Sequence, residues 1–84
     1  MYNLVYTNRA VKDIKKLPPD VKKRIGKTLL RYQQDPLGYS ETLTDARLGT
    51  HRFRIGDYRV FFDIEGQDIV TLRVGHRKDI YRTF

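Results

Sequence analysis

The sequence feature that most constrains the fold is an alternation of apolar and polar residues that runs from residue 52 to residue 74 through two short turns. Residues two apart in a strand share one face of a sheet. Phe53 and Ile55 therefore lie on one face, while Arg52 and Arg54 lie on the other. The apolar face then continues at Tyr58, Val60, Phe62, Ile64, Val70, Leu72 and Val74. The pattern predicts three consecutive antiparallel strands.

The two turns set the register of these strands. Gly56-Asp57 suits a two-residue hairpin turn in which glycine supplies the positive φ, and this turn places Arg54 opposite Arg59. A three-residue turn at residues 65–67 then places Arg59 opposite Arg73. Strands lie about 4.8 Å apart, and like charges directly opposite each other destabilise a sheet. Folding alone therefore gives no reason for this row of three arginines, whereas a bound polyanion does.

A second interpretation of the row is that its arginines extend into solvent or pair with nearby aspartates. Asp57, Asp63 and Asp79 are available for such pairs, and Asp63 shares the arginine face.

The first half of the chain predicts one strand and two helices. Residues 2–6 have the aromatic and β-branched character of a strand. The helix that follows ends at Pro18-Pro19, and a second helix begins there and runs to about Gln34. Residues 39–47 show no periodicity and are predicted to form a loop. The order is β-α-α-β-β-β, which predicts a single α+β domain over residues 1–84, with a two-helix hairpin packed on one face of a four-stranded, mostly antiparallel sheet.

The charge of the chain indicates an anionic partner. A net charge of +7 on 84 residues favours nucleic acid over a membrane, because no basic helix has a large apolar face. Residues 1–40 hold all but one of the lysines, whereas residues 41–84 hold most of the arginines. Arginine binds phosphate through a planar fork, and lysine acts as a point charge. The lysine-rich first half therefore suggests long-range attraction of the anion, and the arginine-rich second half suggests phosphate binding. An ordinary solvated helix face is the alternative interpretation of the lysines.

Several other kinds of site are not indicated. The chain has no cysteine, which excludes disulfides and thiolate metal sites. His51 and His76 lack the spacing of metal ligands on a helix, and there is no nucleotide-binding glycine loop or serine nucleophile motif. We expect no metal and no cofactor. No apolar run approaches the ~18 residues of a membrane span, and the first residues do not resemble a signal peptide, so we expect a cytoplasmic protein with no membrane partner.

The last sequence signal is Val74-Gly75-His76-Arg77-Lys78 followed by Tyr81, where a strand breaks at a glycine and presents side chains able to hold phosphate and transfer protons. Together with Leu48-Gly49, Arg52-Phe53-Arg54-Ile55 and Asp57-Tyr58-Arg59-Val60, this stretch resembles the RelE/ParE toxin superfamily. The resemblance covers essentially the whole chain, although the helical half matches only in pattern. It implies a toxin of a bacterial or archaeal toxin-antitoxin pair.

RelE-like members of this superfamily cut messenger RNA in the ribosomal A site without a metal. The ribose 2′-hydroxyl attacks the adjacent phosphate and leaves a 2′,3′-cyclic phosphate. The resemblance implies that Arg59 binds the scissile phosphate, that Arg77 stabilises the transition state and protonates the leaving group, and that Tyr81 orients the substrate base. Arg52 and Arg54 match a basic pair that RelE supplies as lysines.

Arginine at residue 54 leaves the general base unassigned, because a guanidinium stays protonated at physiological pH. Histidine ordinarily titrates near neutral pH, so we predict that His76 replaces the lysine, with His51 as the second choice. Arg73 and Lys78 are predicted to add to RNA and phosphate binding.

The leading hypothesis is therefore an endoribonuclease, an mRNA interferase. Its expected partners are the A site of the 30S ribosomal subunit, messenger RNA and a cognate acidic antitoxin, with operator DNA reached only through that antitoxin. ParE-like members of the superfamily instead inhibit DNA gyrase without catalysis, and an inactive relative would act as a DNA-binding corepressor with its antitoxin. Both stay open as alternatives.

Overall fold

In the computed structural model, helices pack on one face of a mixed β-sheet. The structure describes residues 1–83 apart from the side chains of Ala46 and Thr83. The elements in chain order are β1 (Asn3–Tyr6), α1 (Asn8–Lys15), α2 (Pro19–Tyr32), α3 (Pro36–Tyr39), β2 (Glu41–Thr42), β3 (His51–Ile55), β4 (Tyr58–Glu65) and β5 (Asp68–His76). Short 3-10 turns lie at Ala46–Leu48 and Ile80–Thr83. Across the described sheet the strand order is β1-β5-β4-β3-β2, with β1 parallel to β5 and the other neighbours antiparallel.

The predicted α+β class, the helical hairpin and the four predicted strands are confirmed. The predicted loop at residues 39–47 is wrong in one respect, since it contains β2, a fifth strand at the edge of the sheet. A strand of two residues is too short to show alternation, so the sequence pattern carries no signal for it.

The core lies between the helices and one face of the sheet. Ile25 and Leu29 of α2 pack against the apolar face of the three long strands, where the rings of Phe53 and Phe62 stack with centroids 4.3 Å apart. The Thr7 side chain caps α1 by accepting a hydrogen bond from the Ala10 amide. The opposite face of the sheet is left for the arginines that alternate with these core residues.

The register of the first hairpin is confirmed, with Ile55 opposite Tyr58 and Arg54 opposite Arg59. The predicted register of the second hairpin is wrong. Its turn is one residue shorter, so Glu65 pairs with Asp68, and the ladder shifts again between Phe61 and Phe62.

The shorter turn exchanges the faces of the first half of β5, because a shift of one residue turns every side chain over. Ile69 and Thr71 are buried on the core face, where the alternation predicts Val70 and Leu72. A β-bulge then restores the phase by adding one residue to β5, so that Val74 lies in the core as predicted. The bulge also places Arg59 opposite Gly75, and Arg73 opposite Phe61.

Asp13 of α1 explains why Arg73 does not join the arginine row. The pairing of β1 with β5 ends at Thr71, so β5 continues beyond its neighbour. The Asp13 carboxylate accepts hydrogen bonds there from the Val74 amide, at 3.0 Å, and from Arg73 Nε, at 2.7 Å. Arg73 thus fastens α1 to the edge of β5.

The C-terminal turn folds back over the arginine face. Ile80 is buried and lies over Gly75, close enough that a β-carbon on Gly75 would come within 2.8 Å of Ile80 Cδ1. The Tyr81 ring meets the buried Phe61 ring edge-on at 5.8 Å. Gly75 therefore provides the space in which the turn carrying Tyr81 rests.

Two glycine substitutions test this role, because the same added methyl group should have opposite effects. Gly26 lies inside α2, where an added β-carbon would meet nothing within 4 Å, so Gly26→Ala should stabilise the protein by up to about 1 kcal/mol. Gly75→Ala should destabilise it by about 1–3 kcal/mol through overpacking against Ile80. Chemical denaturation measures both, and equal free energies of unfolding for Gly75→Ala and the unmodified chain would contradict the packing of the turn.

Candidate functional site

A concavity of about 360 Å³ opens on the sheet face away from the helices. Four arginines, one lysine and one tyrosine line it: Arg52, Arg54, Arg59, Arg77, Lys78 and Tyr81. We call this set the arginine cavity. The structure thus brings together six of the nine residues that the sequence singled out. Arg73 and His76 lie along a separate groove, and His51 stacks on Phe62.

Arg59 is the buried centre of the arginine cavity, with only 6% of its surface exposed. Its Nη1 donates hydrogen bonds to the carbonyl oxygens of Gly56 and Tyr58, each at 2.9 Å. Among the described residues no carboxylate forms a salt bridge with it. Burial, followed by the positive charges of Arg54 and Arg52, lowers the pKa of Arg59. A cation destabilised in this way attracts an anion strongly.

Arg52 links two other groups of the site. Its Nη1 donates to the Tyr81 hydroxyl at 2.6 Å, and its Nη2 donates to Glu41 Oε2 at 3.1 Å. Burial lowers the pKa of Arg52, but the hydrogen bonds to Glu41 and Tyr81 more than offset this, so the pKa lies above its ordinary value. Arg52 Nε is buried and makes no hydrogen bond within residues 1–83. This donor is enclosed by the protein and is not exposed to a ligand in the unbound chain.

The outer arginines form exposed ion pairs. Arg54 Nε lies 3.6 Å from Glu41 Oε1, and Arg77 Nε lies 3.4 Å from Asp57 Oδ1. Both arginine side chains are more than half exposed, and such pairs typically contribute only about 0–1 kcal/mol. A phosphate can therefore replace these carboxylates at small cost.

The backbone of the first hairpin turn holds Arg77 in place. The Arg77 amide donates to the Asp57 carbonyl at 2.8 Å, just beyond the end of β5. Further along, the Asp79 amide donates to the His76 carbonyl, and the Arg82 amide to the Asp79 carbonyl. These bonds close the turn that presents Arg77 and Tyr81 from the same side as the strand arginines.

The two histidines lie on the other face of the sheet. His76 is paired with Tyr58, whose ring it meets edge-on at 5.3 Å, and its Nδ1 accepts a hydrogen bond from the Lys78 amide. His51 stacks on the core residue Phe62 at 5.4 Å. The sequence indicates both as candidate bases, but the structure does not bring either one into the arginine cavity.

Glu41 is the residue of the site that the sequence pattern does not reveal, since it reads there as an ordinary surface residue. It lies on β2, paired directly with Arg52 of β3, and antiparallel partners share a face of the sheet. Its carboxylate thus borders the arginine cavity. Neither spacing nor periodicity could have shown this, because the position depends on a strand too short to detect.

Other sites have no support in the described part of the chain. No three histidine, aspartate or glutamate side chains within residues 1–83 are grouped so that they could hold a metal ion. No helix in that part of the chain is both long enough and apolar enough to span a bilayer.

Comparison with known proteins now decides the family. The model for the ParE toxin of the type II toxin-antitoxin system parDE matches residues 4–81. The chain belongs to the RelE/ParE family of type II toxins. Among its relatives are toxin RelE3 of Methanocaldococcus jannaschii and toxin RelG of Mycobacterium tuberculosis, each 34% identical over 96% of this chain and 97% of the relative.

Solved structures agree with this RelE/ParE assignment. A toxin chain in the RelBE2 toxin-antitoxin complex of Mycobacterium tuberculosis superposes with a TM-score of 0.82 at 30% identity. The match covers 90% of this chain and 98% of that one. The fold derived above is therefore the fold of the family.

The arginine cavity predicts stabilisation by phosphate. An anion that binds only the folded chain stabilises it by about 1.4 kcal/mol at ten times its Kd. The melting temperature in sodium phosphate should exceed that in sodium chloride of equal ionic strength. Arg59→Gln should lose most of the difference, whereas Arg31→Gln, which removes the same charge from exposed α2, should keep it. Equal differences for the two variants would show that phosphate does not bind in the cavity.

Proposed function

We propose that this toxin is a ribosome-dependent, metal-independent endoribonuclease that cuts messenger RNA in the ribosomal A site. The observation that carries the proposal is the arginine cavity, with a buried guanidinium at its centre and a half-exposed tyrosine, Tyr81, at its side. Positive charges grouped around one cavity suit a reaction that concentrates negative charge on a phosphate.

The geometry supports a division of roles within the arginine cavity. Arg59 is the most deeply buried of its cations and would hold the scissile phosphate. Arg77 lies on the C-terminal turn and would neutralise the charge that develops as the 5′-oxygen leaves. Tyr81 has its hydroxyl fixed by Arg52 and its ring supported by Phe61, so its outer face would stack on or orient a base.

The remaining cations of the cavity would bind the RNA backbone on either side of the scissile phosphate. Arg52, Arg54 and Lys78 surround the central guanidinium and would contact the phosphates on either side of the cut. This arrangement also fits a requirement for the ribosome, because a cavity open to solvent does not by itself hold a flexible strand in line for attack.

A cognate antitoxin would regulate this activity in the cytoplasm. The related RelBE2 toxin was solved as a complex with its antitoxin, and a cavity of this charge fits an acidic, partly disordered segment. The antitoxin would also carry the toxin to operator DNA. Calorimetry with the acidic product of a neighbouring reading frame should show binding and a raised melting temperature; no binding would remove this part of the proposal.

Inhibition of DNA gyrase is the second candidate function, favoured by the match to the ParE toxin model. In that case the arginine cavity would not act on a phosphate. Gyrase supercoiling assays and ribosome-bound cleavage assays on the same preparation distinguish the two functions.

A single-turnover assay on ribosome-bound messenger RNA tests the proposal. The chain should cut within the A-site codon and leave a 2′,3′-cyclic phosphate. Arg59→Gln should slow cleavage by about 10²–10³, the usual value of one preorganised charge, and Arg31→Gln should cleave at nearly the normal rate.

A modified substrate tests whether the 2′-hydroxyl is the attacking group. A messenger carrying a 2′-methoxy group at the cut site should bind and remain intact, since it lacks the attacking hydroxyl. Cleavage of that messenger would make water the nucleophile and would overturn the assignment of roles.

A further inference from the structure

The side chain of Arg77 is only weakly held, although its proposed role requires a fixed position. The guanidinium is 52% exposed and its Nε lies 3.4 Å from Asp57 Oδ1, an exposed ion pair of the kind that contributes little. A cation that neutralises charge in a transition state is most effective when its position is set beforehand. The direction of the Arg77 side chain therefore depends on the two peptide groups that flank its α-carbon.

Both of these peptide groups are hydrogen-bonded. The Arg77 amide donates to the Asp57 carbonyl at 2.8 Å, and the Lys78 amide donates to Nδ1 of His76 at 3.1 Å. Because peptide groups are planar, fixing the planes before and after an α-carbon fixes its φ and ψ, and with them the direction of the bond to the β-carbon. The His76 ring thus supplies one of the two hydrogen bonds that orient Arg77.

We infer that His76 is a positioning residue, which orients Arg77 toward the arginine cavity by accepting the Lys78 amide with its Nδ1 atom. This inference rests on the proposed ribonuclease function and gives the histidine a role other than that of the base. An Nδ1 atom that accepts a hydrogen bond carries no hydrogen, so the neutral ring holds its proton on Nε2.

The His76 ring is itself anchored to the core. It meets the Tyr58 ring edge-on at 5.3 Å, and Tyr58 packs against the buried core cluster. The two residues are also partners in the ladder between β4 and β5, and the His76 carbonyl accepts the Asp79 amide at 2.9 Å. A ring supported in this way presents Nδ1 at a defined place, which a free side chain would not do.

Asparagine is the residue that most nearly reproduces the bond from the Lys78 amide. Its Oδ1 is attached to Cγ, as Nδ1 is in histidine, and asparagine side chains commonly accept the amide two residues further along the chain. Phenylalanine has the opposite properties, since its ring resembles that of histidine in shape but offers no acceptor. Substitutions of His76 by these two residues therefore separate the acceptor from the ring.

Three roles for His76 predict three different patterns. A general base needs a nitrogen that titrates, so both His76→Asn and His76→Phe would lose cleavage. A ring that only packs would be replaced by phenylalanine but not by asparagine. A positioning acceptor gives the reverse pattern, in which the asparagine variant is active and the phenylalanine variant is impaired.

The test is single-turnover cleavage of ribosome-bound messenger, with binding measured separately on the uncleavable 2′-methoxy messenger. His76→Phe should cut about 10² more slowly, which is the cost of a misplacement of about 1 Å. It should bind with nearly normal affinity, because the charge that Arg77 neutralises develops only in the transition state. His76→Asn should keep most of the normal rate. His51→Phe, the same change at a histidine that stacks on Phe62, should behave like the unmodified chain.

A double-mutant cycle shows whether His76 acts through Arg77. In an Arg77→Ala background, His76→Phe should cause little further loss of rate, because the group that it would misplace is already gone. Each variant is assayed well below its melting temperature, so that loss of folded protein is not counted as slow chemistry. Additive losses of rate would mean that the histidine acts elsewhere and would overturn the inference.

A measurement that needs no activity checks the hydrogen bond itself. Nuclear magnetic resonance of the unmodified chain should detect a nitrogen–nitrogen coupling between the Lys78 amide and His76 Nδ1. Absence of this coupling, a normal rate for His76→Phe, or a rate for His76→Asn as low as that for His76→Phe would each overturn the inference while leaving the ribonuclease proposal intact. If the unmodified chain cuts no ribosome-bound messenger, the proposed function fails first, and the inference falls with it.

Discussion

The site depends on a buried guanidinium that has no carboxylate partner within residues 1–83, and hydrophobic burial on the other face of the same hairpin maintains it. Phe53, Val60 and Phe62 are fully buried and each contributes about 1.5–3 kcal/mol. These residues fix the register that sets Arg54 opposite Arg59. Two unit charges about 5 Å apart repel by roughly 3 kcal/mol at an effective dielectric constant of about 20, so the core outweighs the repulsion.

The acidic residues near the arginine cavity pair with arginines other than Arg59, so the buried charge of Arg59 is not neutralised by a carboxylate within residues 1–83. Glu41 contacts Arg52 and Arg54, and Asp57 contacts Arg77. All three contacts involve carboxylates that are substantially exposed and therefore exchange easily. Backbone carbonyls fix Arg59 instead. The cavity is thus already formed in the unbound chain, which is the condition under which fixed charges would contribute most to the proposed reaction.

The sequence predicts what depends on alternation and turn chemistry, and it fails where a single residue changes the register. The first hairpin, the helical pair and the positions of Arg52, Arg54 and Arg59 on one sheet face follow from local patterns, whereas the family resemblance indicates that Arg77 and Tyr81 join them. The second turn is one residue shorter than predicted, and a bulge in β5 separates Arg73 from Arg59. His76 is next to Arg77 in sequence, yet it is the last residue of β5 and packs against Tyr58 on the core face, whereas Arg77 begins the turn that lines the cavity. Glu41 depends on the pairing of a two-residue strand, which leaves no periodic signal.

The central claim is that the arginine cavity, rather than the helical face, receives the scissile phosphate. A structure of the chain bound to a ribosome whose A-site codon carries a 2′-methoxy group tests this most directly. Our account predicts that the phosphate after the blocked hydroxyl lies within hydrogen-bonding distance of Arg59, with Arg77 near the 5′-oxygen. A complex in which α1 and α2 face the messenger and the cavity lies away from it would contradict the account.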